Sequence, residues 1–279
     1  MIVQLRPISE VDFAEFTAAF NLAYSDYFVP IKMTQPAFRS LFERDDIAPD
    51  ASVVAIQNGQ IIGTGLLGIR GRAGWIGGMG VIPVWRRNGV GRQMMQYLIE
   101  QARARGLDLI DLEVIEANQG AWQLYHSLGF ENWRYLLALE RIPDEVPTIL
   151  PDYPLQEQDA FAILAEYDAF HPVENCWQRA RPSLEGMAAS LHGWSLNSEN
   201  GAHSHALGYA GTAALRLIDL AATPDTPRAA ACLLAALHRA YPDAHASAFN
   251  IADNDPVLPA FEALGYTVNF RQIEMRLTL

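Results

Sequence analysis

The chain has 279 residues, half of them hydrophobic, and a formal net charge of −12. That length holds one large domain or two of ordinary size. The acidity excludes general nucleic-acid binding, which needs a basic face for phosphate, and fits attraction of cationic molecules such as amines. No apolar run approaches the ~20 residues of a membrane span, and Met1-Ile-Val-Gln-Leu-Arg6 reads as a first strand, not a signal peptide. Residues 11–24 carry apolar side chains at helical spacing, and 35–44 predict a second, short helix. The apolar runs 52–56 and 61–69 flank Asn58-Gly59, the strongest short hairpin signal. A further strand is expected over 75–82, closed by Pro83, which has no N–H to donate. Met94, Leu98 and Ala102 recur every four residues behind Val90, so one helix face is buried, and Gly106 ends it. Then follow a strand over 109–115, a helix over 119–128 and an extended tail over 130–142. Antiparallel strands followed by helix-linked ones predict a mixed α/β sheet.

The segment Arg86-Arg87-Asn88-Gly89-Val90-Gly91-Arg92 lies where a strand turns into a helix. A helix N-terminus offers free backbone N–H groups and roughly half a positive charge. Glycines let that backbone close on phosphate oxygens, and arginines flank it. The segment lacks the Gly-Lys-Ser/Thr ending of a nucleotide P-loop and the three glycines of a dinucleotide fingerprint. It does match Arg/Gln-x-x-Gly-x-Gly/Ala through Arg86, Gly89 and Gly91. Further on, Asn118-Gln-Gly-Ala121-Trp-Gln-Leu124-Tyr125-His-Ser-Leu128-Gly129-Phe130 matches Asn-x-x-Ala-x-x-Leu-Tyr-x-x-x-Gly-Phe. The two motifs, in this order, make residues 1–142 resemble the GNAT superfamily of acetyl-CoA-dependent N-acetyltransferases.

Residues 143–157 are rich in proline and acid and read as a linker. Beyond it, Asn254 to Tyr266 lies over Asn118 to Phe130 without a gap, with the same spacing from asparagine to glycine. Residues 215–222 then correspond to the strand before the phosphate loop and 229–241 to the helix after it. Two fused copies of one fold are expected: a catalytic domain over 1–142 and a degenerate GNAT-like domain over 158–279. The second copy has Asp225, Pro227 and Arg228 where the first has its loop, and Phe261 in place of Tyr125. An acid repels phosphate, a proline lacks a donor and a phenyl ring has no hydroxyl, so this copy is expected to bind no cofactor.

The resemblance implies where acetyl transfer takes place in the first half. Backbone N–H groups of Arg87, Asn88, Gly89, Val90, Gly91 and Arg92 would hold the diphosphate of acetyl-CoA, with Arg86, Arg87 and Arg92 as charge partners. In the family the fourth and fifth strands splay, and the pantetheine arm lies against backbone that here is Met79, Gly80 and Val81. The run Gly77-Gly78-Met79-Gly80 suits such a distortion, and the same backbone would offer an N–H to the developing oxyanion. Asn118 would hydrogen bond the arm, and Tyr125 would protonate the departing thiolate, a fitting exchange for a hydroxyl of pKa ~10. The family's frequent strand-four glutamate is missing. Glu113 on the fifth strand is the candidate base and Asp26 a second one. Asp26, Tyr24, Tyr27 and Phe28 would line the acceptor site, the aromatic rings suiting a cation.

Two cysteines, Cys176 and Cys232, form no disulfide framework and fit a reducing cytoplasm. His203-Ser-His205 could point two imidazoles one way, yet no third ligand stands near, so no metal site is expected. The expected partner is a small-molecule amine, with neither nucleic acid nor membrane. The alternatives are a non-catalytic acyl-CoA-binding or regulatory protein, another acyl group, or a protein N-terminus as acceptor.

Overall fold

The computed structural model describes residues 3–144, 146, 150, 153–197, 203–223 and 228–279. The first run of elements is β1 (Gln4–Pro7), α1 (Phe13–Ala23), α2 (Gln35–Arg44), β2 (Val53–Gln57), β3 (Gln60–Arg70), β4 (Ala73–Val81), α3 (Val90–Ala104), β5 (Leu109–Ile115), α4 (Gln119–His126) and β6 (Glu131–Arg141). A second run repeats it: β7 (Gln156–Gln158), the paired helices α5 (Ala160–Ala165) and α6 (Tyr167–Phe170), α7 (Arg181–Met187), β8 (His192–Asn197), β9 (His203–Ala210), β10 (Ala214–Ala222), α8 (Arg228–Ala240), β11 (His245–Ala252), α9 (Leu258–Ala263) and β12 (Thr267–Thr278). The expected mixed α/β architecture in two tandem copies is present. Among the described residues, no helix is long and apolar enough to cross a membrane.

Two compact units divide the chain: 1–133 with 273–279, and 134–272. The expected boundary at 142 differs from this division, which falls inside β6. The physical reason is strand pairing: Leu136–Arg141 of β6 pairs antiparallel with β11, while the last residues of β12 return to the first unit. The expected linker is not bare either, since Val146, Leu150, Tyr153 and Leu155 pack against the second unit's core. The rest of that segment, at 145, 147–149 and 151–152, lies outside the described residues.

In the first unit the strand order is β1-β2-β3-β4-β5-β12. The first three pairs are antiparallel and β4/β5 is parallel. Asn58 and Gly59 have φ of 50° and 76°, the two positive values a two-residue hairpin turn requires. Asp12 caps α1 by accepting from the N–H groups of Ala14 and Glu15. Phe16, Phe20 and Phe38 interlock α1 with α2, their ring centroids 4.8–5.0 Å apart across the two helices. Gly78 and Gly80 of β4 lie against Phe20, Ala23 and Tyr24 of α1, whereas Gly91 of α3 lies against Met79 and Val81. Because side chains alternate along a strand, α1 and α3 cover opposite faces of β4. The stripe Val90, Met94, Leu98 and Ala102 is buried, as its spacing predicts.

The second unit has the order β12-β6-β11-β10-β9-β8-β7, with β10/β11 its parallel pair. Trp194, Leu215, Leu217, Leu234 and Phe261 are among the side chains of its core.

Candidate active site

Gly89 is the N-cap of α3, with φ +77°, and no side chain caps this helix. A left-handed residue is needed to turn from the loop into the helix, and glycine adopts it without the steric penalty of a Cβ. The first helical hydrogen bond runs from Gln93 N–H to Gly89 O, so the N–H groups of Val90, Gly91 and Arg92 are left to point along the axis, as at any uncapped helix start. Asn88 shapes the turn through its amide, which donates to the carbonyls of Trp85 and Arg86. Arg87 is exposed and itself left-handed at φ 64°. Arg92, also exposed, donates to Ser127 Oγ at 2.7 Å. This is an open, electropositive cradle.

Arg86 does not belong to that cradle as a free cation. Its guanidinium donates to Val81 O (2.9 Å), Ala23 O (3.0 Å) and both carboxylate oxygens of Asp26 (2.9 and 2.6 Å). It clamps the end of β4 to the end of α1. Asp26 is correspondingly held below the usual carboxylate range by its hydrogen bonds from Arg86. A carboxylate so paired is a poor proton acceptor. The expected role of Asp26 as a second base is corrected on this geometry.

The strands splay where the sequence places the distortion. β4 pairs with β5 only from Ala73↔Leu109 to Ile76↔Leu112. On its other edge the register skips Gly77, with Leu66 opposite Gly78 and Leu67 opposite Ile76. This is a β-bulge, which bends a strand away from its neighbour. The Trp75 ring lies over Gly77 so closely that a Cβ there would stand 1.9 Å from it. Only glycine fits. Met79, Gly80 and Val81 lie beyond the last β5 partner, and the Met79 backbone lies beside the Tyr24 hydroxyl.

Around the splay the fold gathers Tyr24 and Tyr27 from the end of α1, and Asn118 and Tyr125 from α4. The rings of Tyr24 and Tyr27 are 5.0 Å apart, edge to face, and Tyr27 meets Phe28 at 5.6 Å. Asn118 caps α4 by accepting from Ala121 N–H at 3.3 Å, and its side chain lies near the Tyr27 hydroxyl. Burial raises the Tyr125 hydroxyl above its ordinary pKa, and nearby Tyr27 adds to this. Burial likewise raises Tyr24, with further contributions from Tyr27 and Tyr125. All three phenols therefore keep their protons at neutral pH. Tyr125 is a proton donor in a dry surrounding.

Glu113 lies behind Trp75, whose indole N–H donates to Oε2 at 2.9 Å. Its other oxygen is buried without a hydrogen bond. Burial pushes this carboxyl well above the ordinary glutamate range; Glu274 adds to the effect, the Trp75 bond opposes it, and Asp111 and Asp45 add less. A carboxyl so raised gives up its proton less readily than an ordinary glutamate. Glu274 lies far along the chain, on β12, the last strand of the second run, so local spacing does not reveal its approach to Glu113. Asp111 is paired with Arg276 at 2.7 and 2.8 Å.

A raised folded-state pKa contributes stability below the ordinary glutamate value of ~4.3, and that contribution is lost as pH rises through the folded value. Glu113→Gln keeps the acceptor for Trp75 and removes the titration. Its thermal midpoint relative to the parent chain should therefore climb between pH 5 and pH 9. A constant difference across that range would show that Glu113 is ionised throughout.

The second copy repeats the splay and fills it. β10 pairs with β11 from Ala214↔His245 to Leu217↔Ala248, and the register against β9 skips Ile218. Arg179, 2% exposed, spans the two strands by donating to Ile218 O (3.2 Å) and Asn250 O (3.3 Å). It also bonds Asp219 at 2.9 Å and Asp255 at 3.4 Å. Phe261 is fully buried. Arg228 opens α8, whereas Asp225 and Pro227 lie outside the described residues. Cys176 and Cys232 are buried free thiols. The expectation that His205 finds no third ligand is corrected. His205 is buried, and its imidazole, that of His171 and the Asp219 carboxylate have ligand atoms within 4.8 Å of one another. His203 stays exposed.

Residues 16–130 match the model of the acetyltransferase (GNAT) family. Mycothiol acetyltransferase of Thermobifida fusca is 42% identical over 67 residues, 24% of this chain and 21% of that protein. The [ribosomal protein bS18]-alanine N-acetyltransferase of Escherichia coli K12 is 42% identical over 50 residues, 18% of this chain and 34% of the relative. The chain thus aligns with about a fifth to a third of the length of these relatives. A tandem GNAT protein from the clavulanic acid biosynthesis pathway superimposes with a TM-score of 0.68 at 16% identity, covering 99% of this chain and 98% of its own. That likeness is one of fold.

Proposed function

Since residues 16–130 match the model of the GNAT acetyltransferase family, we propose that the chain transfers an acetyl group from acetyl-CoA to a primary amine of a small molecule. The single observation that carries this reading is the uncapped, glycine-started N-terminus of α3 on the same strand-splay that gathers Tyr125, Tyr27 and Asn118. Backbone N–H groups of Val90, Gly91 and Arg92 would hold the diphosphate, with Arg87 and Arg92 as its cations. Met79, Gly80 and Asn118 would align the pantetheine arm. Val81 and Arg86 act from behind as a clamp.

The thioester supplies the electrophilic carbonyl. The amine nitrogen forms the new C–N bond, the C–S bond breaks, and the Tyr125 hydroxyl gives its proton to the departing sulfur. A Met79 or Gly80 N–H facing the carbonyl oxygen would stabilise the developing charge by about 3 kcal/mol. Tyr24, Tyr27 and Phe28 form the acceptor wall, suited to a cationic amine, and the −12 charge draws such molecules in. The amine must lose a proton before attack, and ionised Glu113 is the candidate to take it, which makes turnover rise with pH. Arg179 in the second splay supports a structural, cofactor-free second copy. The buried free thiols suit the cytoplasm.

Calorimetry with acetyl-CoA, followed by a free-thiol release assay over small amines and N-terminal peptides, tests the reading. The expected result is binding with thiol release by a small amine. Release only by a peptide would make the acceptor a protein N-terminus. Binding without release by any acceptor would make the chain an acyl-CoA sensor, and absence of binding would end the reading.

A further inference from the structure

We infer that His171, His205 and Asp219 of the second unit form a binding site for one divalent transition-metal ion of the Zn2+ class. The three come from separate elements: the chain just after α6, the middle of β9, and β10 immediately past its bulge. An extra residue at Ile218 re-aims the strand there, as bulges do.

The hydrogen bonding around them leaves lone pairs facing one another. His171 Nδ1 lies 2.9 Å from Tyr167 O. A carbonyl only accepts, so Nδ1 carries the proton and Nε2 presents its lone pair inward, the arrangement that orients metal-ligating histidines. Nε2 stands 3.2 Å from each Asp219 oxygen. His205 Nε2 lies 3.6 Å from Asp219 Oδ2, too far for a hydrogen bond, and both atoms are buried without a partner. A proton on His171 would satisfy one of these contacts and leave His205 orphaned. A cation among the three satisfies all of them.

The spacing fits. Metal–ligand bonds of ~2.0–2.1 Å in tetrahedral geometry put ligand atoms roughly 3.3 Å apart, close to the 3.2 and 3.6 Å of the two histidine–carboxylate pairs, with all three ligand atoms within 4.8 Å of one another. Two imidazoles and one carboxylate suit Zn2+ or its neighbours better than Mg2+ or Ca2+. Arg179 holds Asp219 Oδ1 at 2.9 Å, which orients the carboxylate and leaves Oδ2 for the ion. The ion would tie the α5–α6 region to β9 and β10, a structural role independent of acetyl transfer.

The test uses the untagged full chain, stripped with EDTA and dialysed, then titrated with Co2+ by visible absorption and with Zn2+ by calorimetry and thermal unfolding. The expected result is one equivalent bound, the absorption of four-coordinate Co2+, and a thermal midpoint raised by roughly 5 °C with excess Zn2+. His205→Gln, a near-isostere, and His171→Ala should each weaken binding by about a hundredfold or more, while His203→Ala binds as the parent does. No ion bound by the parent chain, or undiminished binding by His205→Gln, would overturn the inference.

Discussion

Gly89→Arg is expected to abolish measurable acetyl-CoA binding, a loss of about a hundredfold or more, in a chain that still folds. The substitution copies Arg228, the first residue of α8 in the second copy. A side chain at φ +77° costs about 1–2 kcal/mol, small against the stability of a domain of this size. Nothing but Gln93 Nε2, at 3.9 Å, stands near the added Cβ, so packing is undisturbed. The damage falls on the anion site, where backbone must approach phosphate closely. Charge works the other way, since an added guanidinium attracts a diphosphate. A lost affinity therefore reads as steric closure of the cradle. Gly89→Ala, with the backbone penalty and little bulk, should fall between. Calorimetry decides it, and unchanged affinity in Gly89→Arg would place the diphosphate elsewhere.

Tyr125→Phe is expected to lower turnover by roughly ten- to a thousandfold, up to the middle of the range for general acid catalysis, with acetyl-CoA affinity nearly unchanged. The ring stays, so its packing 6.2 Å from Phe130 stays too, and the second copy already buries a phenylalanine at the matching place, Phe261. What is lost is one hydroxyl that burial keeps protonated. Because that proton remains bound across neutral pH, the parent enzyme should show no loss of this acid below the ordinary phenol value of ~10. Steady-state kinetics with calorimetry separates the two quantities. A turnover within about twofold of the parent would reduce Tyr125 to a packing residue.

The local elements were legible from the sequence because neighbouring residues specify them. Asn58-Gly59 takes two positive φ angles, Met94, Leu98 and Ala102 are buried on α3, and Asn118 caps α4. Roles that depend on distant partners were less legible. Arg86 carries the motif yet spends donors on Asp26, sixty residues away in the chain, and that one pairing engages both side chains. Glu113 is legible as a carboxylate on an apolar strand, but not that Glu274 shares its surroundings.

By itself the sequence determined the tandem α/β plan, the likeness of the first half to the GNAT family and the glycine-started turn into α3, since turn chemistry, helical spacing and short motifs are written in consecutive residues. Only the tertiary structure decided the surroundings of Glu113, the clamp of Arg86, the plug of Arg179 and the meeting of His171 with Asp219, forty-eight residues apart. The reason is physical. Charge and hydrogen bonding depend on which strands lie side by side and how deeply a group is buried, and a bulge at one residue re-aims the side chains that follow it.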